Sequence, residues 1–274
     1  MLTETFHSIV HAARQVFTNW RAMLLLAFVY AALLASLYSF VAVREASIAQ
    51  VTLTFALAIA APLLFFVLQS MVASQTDEAT VGLLLRRSLT SFWKLILISL
   101  PLIALAILIW YLLAKAQNHF GQSPESASNI PHPLATTANA PPAARPINWK
   151  GALFSTLRYL SFGLGLPLVA IHLWLATVRD GLGGAIRKIA TLLSRAFAPQ
   201  SVFIYIAGFL IFAVAPYFLL FRTTQTKHAW LEFSLLVARL LVVFALTLFG
   251  WMITVRALGL LSANPPVPPA NEAA

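Results

Sequence analysis

The chain has 274 residues, of which 60% are hydrophobic and only 9% are charged, and its mean hydropathy is +0.85. Soluble domains contain about 25% charged residues, so this composition excludes a water-soluble globular protein. The net charge of +10 is spread along the chain, which argues against a nucleic-acid-binding stripe and favours a bilayer with anionic headgroups as the partner. The absence of cysteine excludes disulfides and cysteine-ligated metals.

In chain order, the apolar residues form six blocks, each long enough for a helix that crosses about 30 Å of hydrocarbon. The blocks lie at residues 21–43, 49–73, 93–114, 152–178, 201–221 and 230–256. They predict an all-α, six-span transmembrane helical bundle that forms a single transmembrane domain over residues 1–262. Residues 115–150 are rich in Pro, Ala, Ser and Asn, which predicts a disordered extracytoplasmic loop, and residues 263–274 are predicted to be a disordered cytoplasmic tail.

The distribution of Lys and Arg predicts the orientation of the chain. Residues 1–21, 74–94, 179–200 and the tail are richer in basic residues than the opposite loops, and basic residues in short loops lie on the cytoplasmic side. Both termini are therefore predicted to be cytoplasmic, in a cell membrane that we expect to be the inner membrane of a bacterium. The seven tryptophans all fall near proposed span ends, as in an aromatic belt.

A polar-capped amphipathic stretch precedes the first, third and fifth spans, and its apolar residues recur with the 3.6-residue period of a helix. The apolar faces are Phe6, Ile9, Ala13 and Val16; Val81, Leu85, Leu89 and Phe92; and Leu182, Ile186, Ile189, Leu193 and Phe197. Asp77 and Asp180 stand immediately before the second and third stretches, where a carboxylate accepts the free N–H groups of a helix start. The pattern predicts three repeats of an interfacial amphipathic helix followed by a helical hairpin.

The first two copies share the pattern RQVFTNWR at residues 14–21 and RSLTSFWK at residues 87–94. The longer stretch ATVGLLLRRSLTSFWKLILISLPLI, at residues 79–103, resembles the bacterial multi-pass membrane-domain families that include the membrane domain attached to glycerophosphoryl diester phosphodiesterases. Nothing in the chain matches the phosphodiesterase catalytic domain. The resemblance therefore implies a membrane module and not that activity.

Ionisable residues inside the spans are the candidates for function, because a charged group is costly in hydrocarbon. They are Arg158, His172, Glu232 and Arg239. Each has a structural explanation, as a hydrogen-bonded or ion-paired group, and a functional one, as a titrating or substrate-contacting group. Glu232 is predicted to pair with Arg158 or Arg239 and to hold the fourth and sixth spans together. We predict no catalytic residue, metal site or cofactor, because no carboxylate pair, H-E-x-x-H motif or phosphate loop is present.

Four prolines lie inside spans, where each removes a backbone hydrogen-bond donor and predicts a kink. They are Pro62, Pro101, Pro167 and Pro216. The small residues of SFGLGLP at residues 161–167 are interpreted as permitting close helix contact. The glycines that begin at Gly181 are interpreted as a turn at a helix start and not as a phosphate loop.

These observations favour a non-enzymatic membrane scaffold, regulatory or assembly component. The alternative is a small permease, channel or lipid-handling transporter, which the prolines and the four ionisable residues support. Polar groups that converge on one connected cavity would favour transport, whereas dispersed polar groups would favour the scaffold.

Overall fold

A computed structural model describes residues 2–43, 47–75, 80–120, 149–222 and 228–263. In chain order the helices are α1 (Leu2–Thr18), α2 (Trp20–Ala42), α3 (Ile48–Ser74), α4 (Val81–Phe120), α5 (Trp149–Tyr159), α6 (Leu166–Arg187), α7 (Ile189–Ala196), α8 (Pro199–Phe209), α9 (Ala215–Phe221) and α10 (Ala229–Ala263). Two π-helical segments, π1 (Leu160–Gly165) and π2 (Leu210–Val214), join α5 to α6 and α8 to α9. These ranges contain no strand.

Six helical runs in the described chain are long and apolar enough to cross a membrane. They are Trp20–Ala42, Ile48–Ser74, Val81–His119, Trp149–Arg187, Pro199–Phe221 and Ala229–Ser262. The prediction of an all-α protein with six apolar spans is confirmed. The chain is a multi-pass helical membrane protein.

The chain divides into two compact units, which are described separately. The first unit comprises Met1–Ser99 and Leu168–Ala274, and the second comprises Leu100–Pro167. The boundaries fall beside two of the predicted kink sites, Pro101 and Pro167. That residues 1–262 act as a single domain stays a prediction.

Local sequence explains where several helices start. The side chain of Asn19 accepts a hydrogen bond from the Ala22 N–H at 3.2 Å, so it separates α1 from α2 and caps the start of α2. Ser47 caps α3 in the same way, through the Gln50 N–H. Pro199 occupies the first turn of α8, where its missing N–H costs nothing.

The prolines of two spans coincide with changes in helical pitch. A proline cannot donate to the carbonyl four residues earlier, and its ring collides with that carbonyl. For Pro167 and Pro216 that carbonyl belongs to Gly163 and Phe212, which lie inside π1 and π2. The wider turns accommodate the rings. Around Pro62, by contrast, α3 continues as an α-helix.

In the first unit, α2 packs along α3, and α10 packs along α8, π2 and α9. Neutral side chains make the hydrogen bonds between these helices. Trp251 Nε1 donates to Gln69 Oε1 at 2.9 Å, and Tyr30 Oη donates to Thr247 Oγ1 at 2.9 Å. These pairs join α10 to α3 and α2. Hydrogen bonds of this kind replace the hydrophobic driving force that helices lack in lipid.

The N-terminal helix packs on protein. Ala12 and Val16 of α1 are buried, and α1 lies mainly against α10. Phe6, which belongs to the predicted apolar face, is 66% exposed. Val16 of the predicted apolar face is thus buried, whereas Phe6 of the same face is not. Its predicted place at the bilayer surface stays a prediction.

The three predicted repeats take different local forms. The first stretch is a separate helix, whereas the second continues without a break into the span of α4. In the third, α6 is interrupted at Gly181, whose φ of 76° is a conformation that glycine adopts readily, and α7 is a separate helix before α8. Asp77 lies outside the described residues, and Asp180 binds basic side chains instead of capping a helix. The triplication stays a prediction.

The predicted disordered loop, residues 115–150, overlaps helices at both of its ends, since α4 ends at Phe120 and α5 begins at Trp149. Residues 115–119 are helical, and α4 ends at Phe120. Ala, Lys and Gln in this segment favour helix, and the first helix breaker is Gly121. The rest of the loop up to residue 148, and the tail after Ala263, lie outside the described residues.

Candidate functional site

A cavity of about 600 Å³ lies in the first unit, where α3 and α10 end and α4 and α7 begin. Half of the described residues that line it are polar. They are Ser74, Gln75, Arg87, Ser91, His172, Arg179, Arg256 and Ser262. The remaining lining residues are small or apolar, among them Val72, Leu175 and Leu260. The cavity is therefore amphipathic and includes three guanidinium groups.

Two of the three arginines are fixed by neighbouring side chains. Arg256 Nε donates to Gln15 Oε1 at 2.9 Å, and its Nη1 donates to the carbonyl of Gln75. Arg179 donates from Nε to Asp180 Oδ1 at 2.9 Å. Arg87, in the second turn of α4, is exposed and forms no ion pair with a described residue. Its guanidinium is available to a ligand.

Three residues that line the cavity are buried. Two of them, Ser74 and Gln75, are uncharged, and the third, His172, is weakly basic. Ser74 and Gln75 at the end of α3 are each 5% exposed, and His172 of α6 is 2% exposed. The hydroxyl of Ser74 is buried without a hydrogen-bond partner in the described chain. His172 Nδ1 donates to the carbonyl of Leu168 at 2.9 Å, because a carbonyl oxygen can only accept. The other ring nitrogen of His172, Nε2, is not used by that hydrogen bond.

The charges around the cavity favour an anion. Asp180 accepts hydrogen bonds from Arg179 and, at 3.0 Å, from Lys188 Nζ. These bonds lower the pKa of Asp180 from 3.8 to about 2, at a site beyond the apolar block that ends at Val178. No described lining residue is a carboxylate, and the charged lining residues are Arg87, Arg179 and Arg256. Their combined field is positive.

The structure does not gather His172, Glu232 and Arg239, the predicted ionisable residues of the first unit, at one site. In the first unit, His172 lines the cavity, whereas Glu232 and Arg239 do not. Arg239 Nη1 donates to the carbonyl of Arg222. In the second unit, the guanidinium carbon of Arg158 lies 4.3 Å from the centre of the Trp110 ring, a cation–π contact.

Within the first unit, Glu232 forms no ion pair with a described residue, so the predicted pair with Arg239 is not formed. Glu232 is exposed in the first turn of α10. There the positive end of the helix dipole stabilises a carboxylate, so a basic partner is not required.

Sequence reasoning missed most of the cavity. It treated Arg87 and Arg256 as flanking charges that orient the chain, and it passed over the neutral pair Ser74 and Gln75. The available signal was two polar side chains at the end of an otherwise apolar span. That signal becomes specific only when the arginines of α4 and α10 are known to lie beside it.

A second cavity, of about 360 Å³, lies between α1, α8 and α10 in the same unit. Thr254 is its one described polar lining residue, and the Thr254 hydroxyl donates to the carbonyl of Gly250 at 2.6 Å. This cavity offers no free polar group for recognition. Within the described chain, no group of three or more His, Cys, Asp or Glu residues could hold a metal ion.

Comparison with known proteins adds no relationship, since no family model, curated protein or solved structure matches this chain.

Proposed function

We propose that the protein is a non-catalytic membrane scaffold, a regulatory or assembly component of the cell envelope. The observation that supports this role most is the local engagement of the intramembrane polar groups. Arg158 binds an aromatic ring, while His172 and Arg239 bind carbonyls of the chain itself. Groups that are used in this way serve the fold and do not form a path for a transported solute. A membrane module is also what the resemblance of residues 79–103 implies.

The lateral surface is compatible with such a role. In the most hydrophobic 18-residue stretch of α10, only 11% of the residues are buried by the chain. The corresponding stretch of α2 has the same value of 11%. Most of the surface of these helices therefore remains accessible to lipid and to the spans of other proteins.

Site-specific photo-crosslinking in native membranes tests the proposal. A photoreactive residue replaces Leu241, which is 65% exposed on α10, and the buried Leu248 of the same helix serves as the control position. A scaffold predicts a crosslink to one defined membrane protein from Leu241 and none from Leu248. Crosslinks to lipid alone at every exposed position of the spans would overturn the proposal.

Lipid handling is a second candidate function, and the amphipathic cavity with its three arginines favours it. Liposomes that contain the purified protein and a fluorescent phospholipid distinguish the two roles. Exchange of the labelled lipid between leaflets, faster than in protein-free liposomes and slowed by Arg87→Gln, would indicate lipid handling. Exchange at the protein-free rate would favour the scaffold.

A further inference from the structure

We infer that the cavity lined by Ser74, Arg87, His172, Arg179 and Arg256 binds a phosphate-bearing anion, with the headgroup of an anionic phospholipid as its source in the membrane. This inference goes beyond the scaffold role and does not depend on it. A scaffold can lack a bound lipid, and a transporter can hold one. The scaffold role and the binding of a phosphate group in the cavity therefore succeed or fail separately.

The donors in the cavity suit a phosphate group. A guanidinium presents N–H groups in a planar fork that matches two phosphate oxygens. Arg256 and Arg179 are held in place by Gln15 and Asp180, so part of the ordering cost of binding is met before the ligand arrives. Arg87 has no competing ion pair with a described residue and can turn toward the ligand.

Ser74 provides an independent sign of a missing partner. A buried hydroxyl without a hydrogen bond is costly, and buried polar groups in native proteins are nearly always satisfied. Among the described side chains, the Ser74 oxygen is the one buried polar atom that lacks a partner. Ser74 lines the same cavity as the arginines. A phosphate oxygen that accepts from its hydroxyl would remove this cost.

The apolar half of the lining favours a lipid over a soluble phosphate. Leu175, Leu192 and Leu260 line the cavity together with the charged groups. A free phosphate ion would gain nothing from these side chains. A phospholipid would place its glycerol and the first methylenes of its acyl chains against them, where the burial of each CH₂ is favourable. The cavity also lies at the ends of spans, the depth at which headgroups are found.

The test uses the full-length protein in detergent, with melting temperature and native mass spectrometry as readouts. The probes are phosphatidylglycerol, phosphatidylcholine, inorganic phosphate and glycerol phosphate. Phosphatidylglycerol is expected to raise the melting temperature and to remain bound in the mass spectrum, because a ligand of the native state stabilises it. Arg87→Gln is expected to weaken this binding about tenfold, as loss of a charge-assisted hydrogen bond does.

Two further variants keep the result interpretable. Arg86→Gln removes the same charge from the neighbouring exposed residue, which does not line the cavity, and should leave binding unchanged. Ser74→Ala should weaken binding without lowering the stability of the ligand-free protein, since it removes a group that has no hydrogen-bond partner among the described residues. Should Arg87→Gln fail to fold, Ser74→Ala still decides the matter.

Each outcome has a defined meaning. Stabilisation by phosphatidylglycerol that both cavity variants reduce supports the lipid headgroup. Stabilisation by glycerol phosphate or inorganic phosphate, with the same dependence on Arg87 and Ser74, supports a phosphate site whose source is soluble. Equal losses from Arg86→Gln and Arg87→Gln would show only attraction to a basic surface and would overturn the inference, as would the absence of any effect of the four probes.

Discussion

The contact between α8 and α10 differs sharply from the polar cavity, although both belong to the first unit. At the contact, Gly208 is so close to Thr254 that a Cβ atom on the glycine would lie 1.9 Å from Thr254 Oγ1. At the cavity, five helices, α3, α4, α6, α7 and α10, leave about 600 Å³ unfilled beside charged and hydroxyl groups. The contact between α8 and α10 is closely packed, whereas the cavity is open and polar.

The difference separates stability from binding. Close backbone approach through a small residue is the usual way in which helices associate in lipid. An open polar space contributes nothing to such packing, and the buried hydroxyl of Ser74 makes it unfavourable for the empty protein. Departures of this kind from good packing are expected where a protein binds something. Substitutions at the contact should therefore change stability, and substitutions at the cavity should change ligand binding.

The largest effect is expected from Gly208→Ala. The new methyl group would meet three atoms of Thr254 at 1.9–2.9 Å, and the Thr254 side chain is fixed by its hydrogen bond to the Gly250 carbonyl. Overpacking of this kind should cost about 2–3 kcal/mol. The melting temperature of the purified protein in detergent measures the loss.

Two companion variants check the cause of that loss. Gly82→Ala provides the control, because a Cβ on Gly82 has no neighbour within 4 Å and alanine favours helix. The double variant Gly208→Ala with Thr254→Ala should recover part of the loss, since the substitutions are coupled through one contact. Strictly additive effects would contradict the close approach.

Arg256→Gln comes second, and it contrasts with Arg87→Gln at the other side of the cavity. Arg256 joins α10 to Gln15 of α1 and to the end of α3, so its loss should cost about 1–2 kcal/mol of unfolding free energy. Arg87 makes no such bond with a described residue, so its loss should cost little in the absence of ligand. Equal losses of stability in the two variants would show that the arginines have no separate roles.

Trp251→Phe is expected to have a smaller effect. It keeps most of the ring packing but removes the hydrogen bond to Gln69 that joins α10 to α3. Hydrogen bonds between membrane helices contribute about 0.6 kcal/mol on average, so a shift of that size is expected. Gln69→Leu should produce a similar shift, and the double variant should add little to either. A large further loss in the double variant would argue against this pair.

Hydropathy alone predicted the number of spans, because a bilayer demands long apolar helices whatever their packing, but the helical runs Val81–His119 and Trp149–Arg187 extend well beyond the predicted spans 93–114 and 152–178. It could not predict which residues touch. The small residues at 161–167 favour close helix contact, yet a Cβ atom on Gly163 would have no described atom within 4 Å. Gly208 makes the close approach instead, and nothing in its local sequence distinguishes it.

The candidate site was harder still to predict, for a related reason. Ionisable groups attract attention in an apolar sequence, so Glu232 and Arg239 were singled out while Ser74 and Gln75 were not. Yet hydroxyl and amide groups are also costly to bury, and their positions relative to arginines on other helices depend on the tertiary fold. His172 was the one predicted residue that the cavity includes.

The smallest effect is expected from Asp180→Asn, and it depends on pH. Asp180 accepts from Arg179 and Lys188, both well exposed, and such surface ion pairs contribute below about 0.5 kcal/mol. Its pKa is lowered to about 2, so the contribution is fully present above the ordinary value of 3.8 and is lost as the pH falls from there through about 2. The difference in melting temperature between the wild type and Asp180→Asn should therefore shrink across that interval and stay constant at higher pH. A difference that is independent of pH throughout would show that the asparagine acts through the turn at Gly181 and not through the charge.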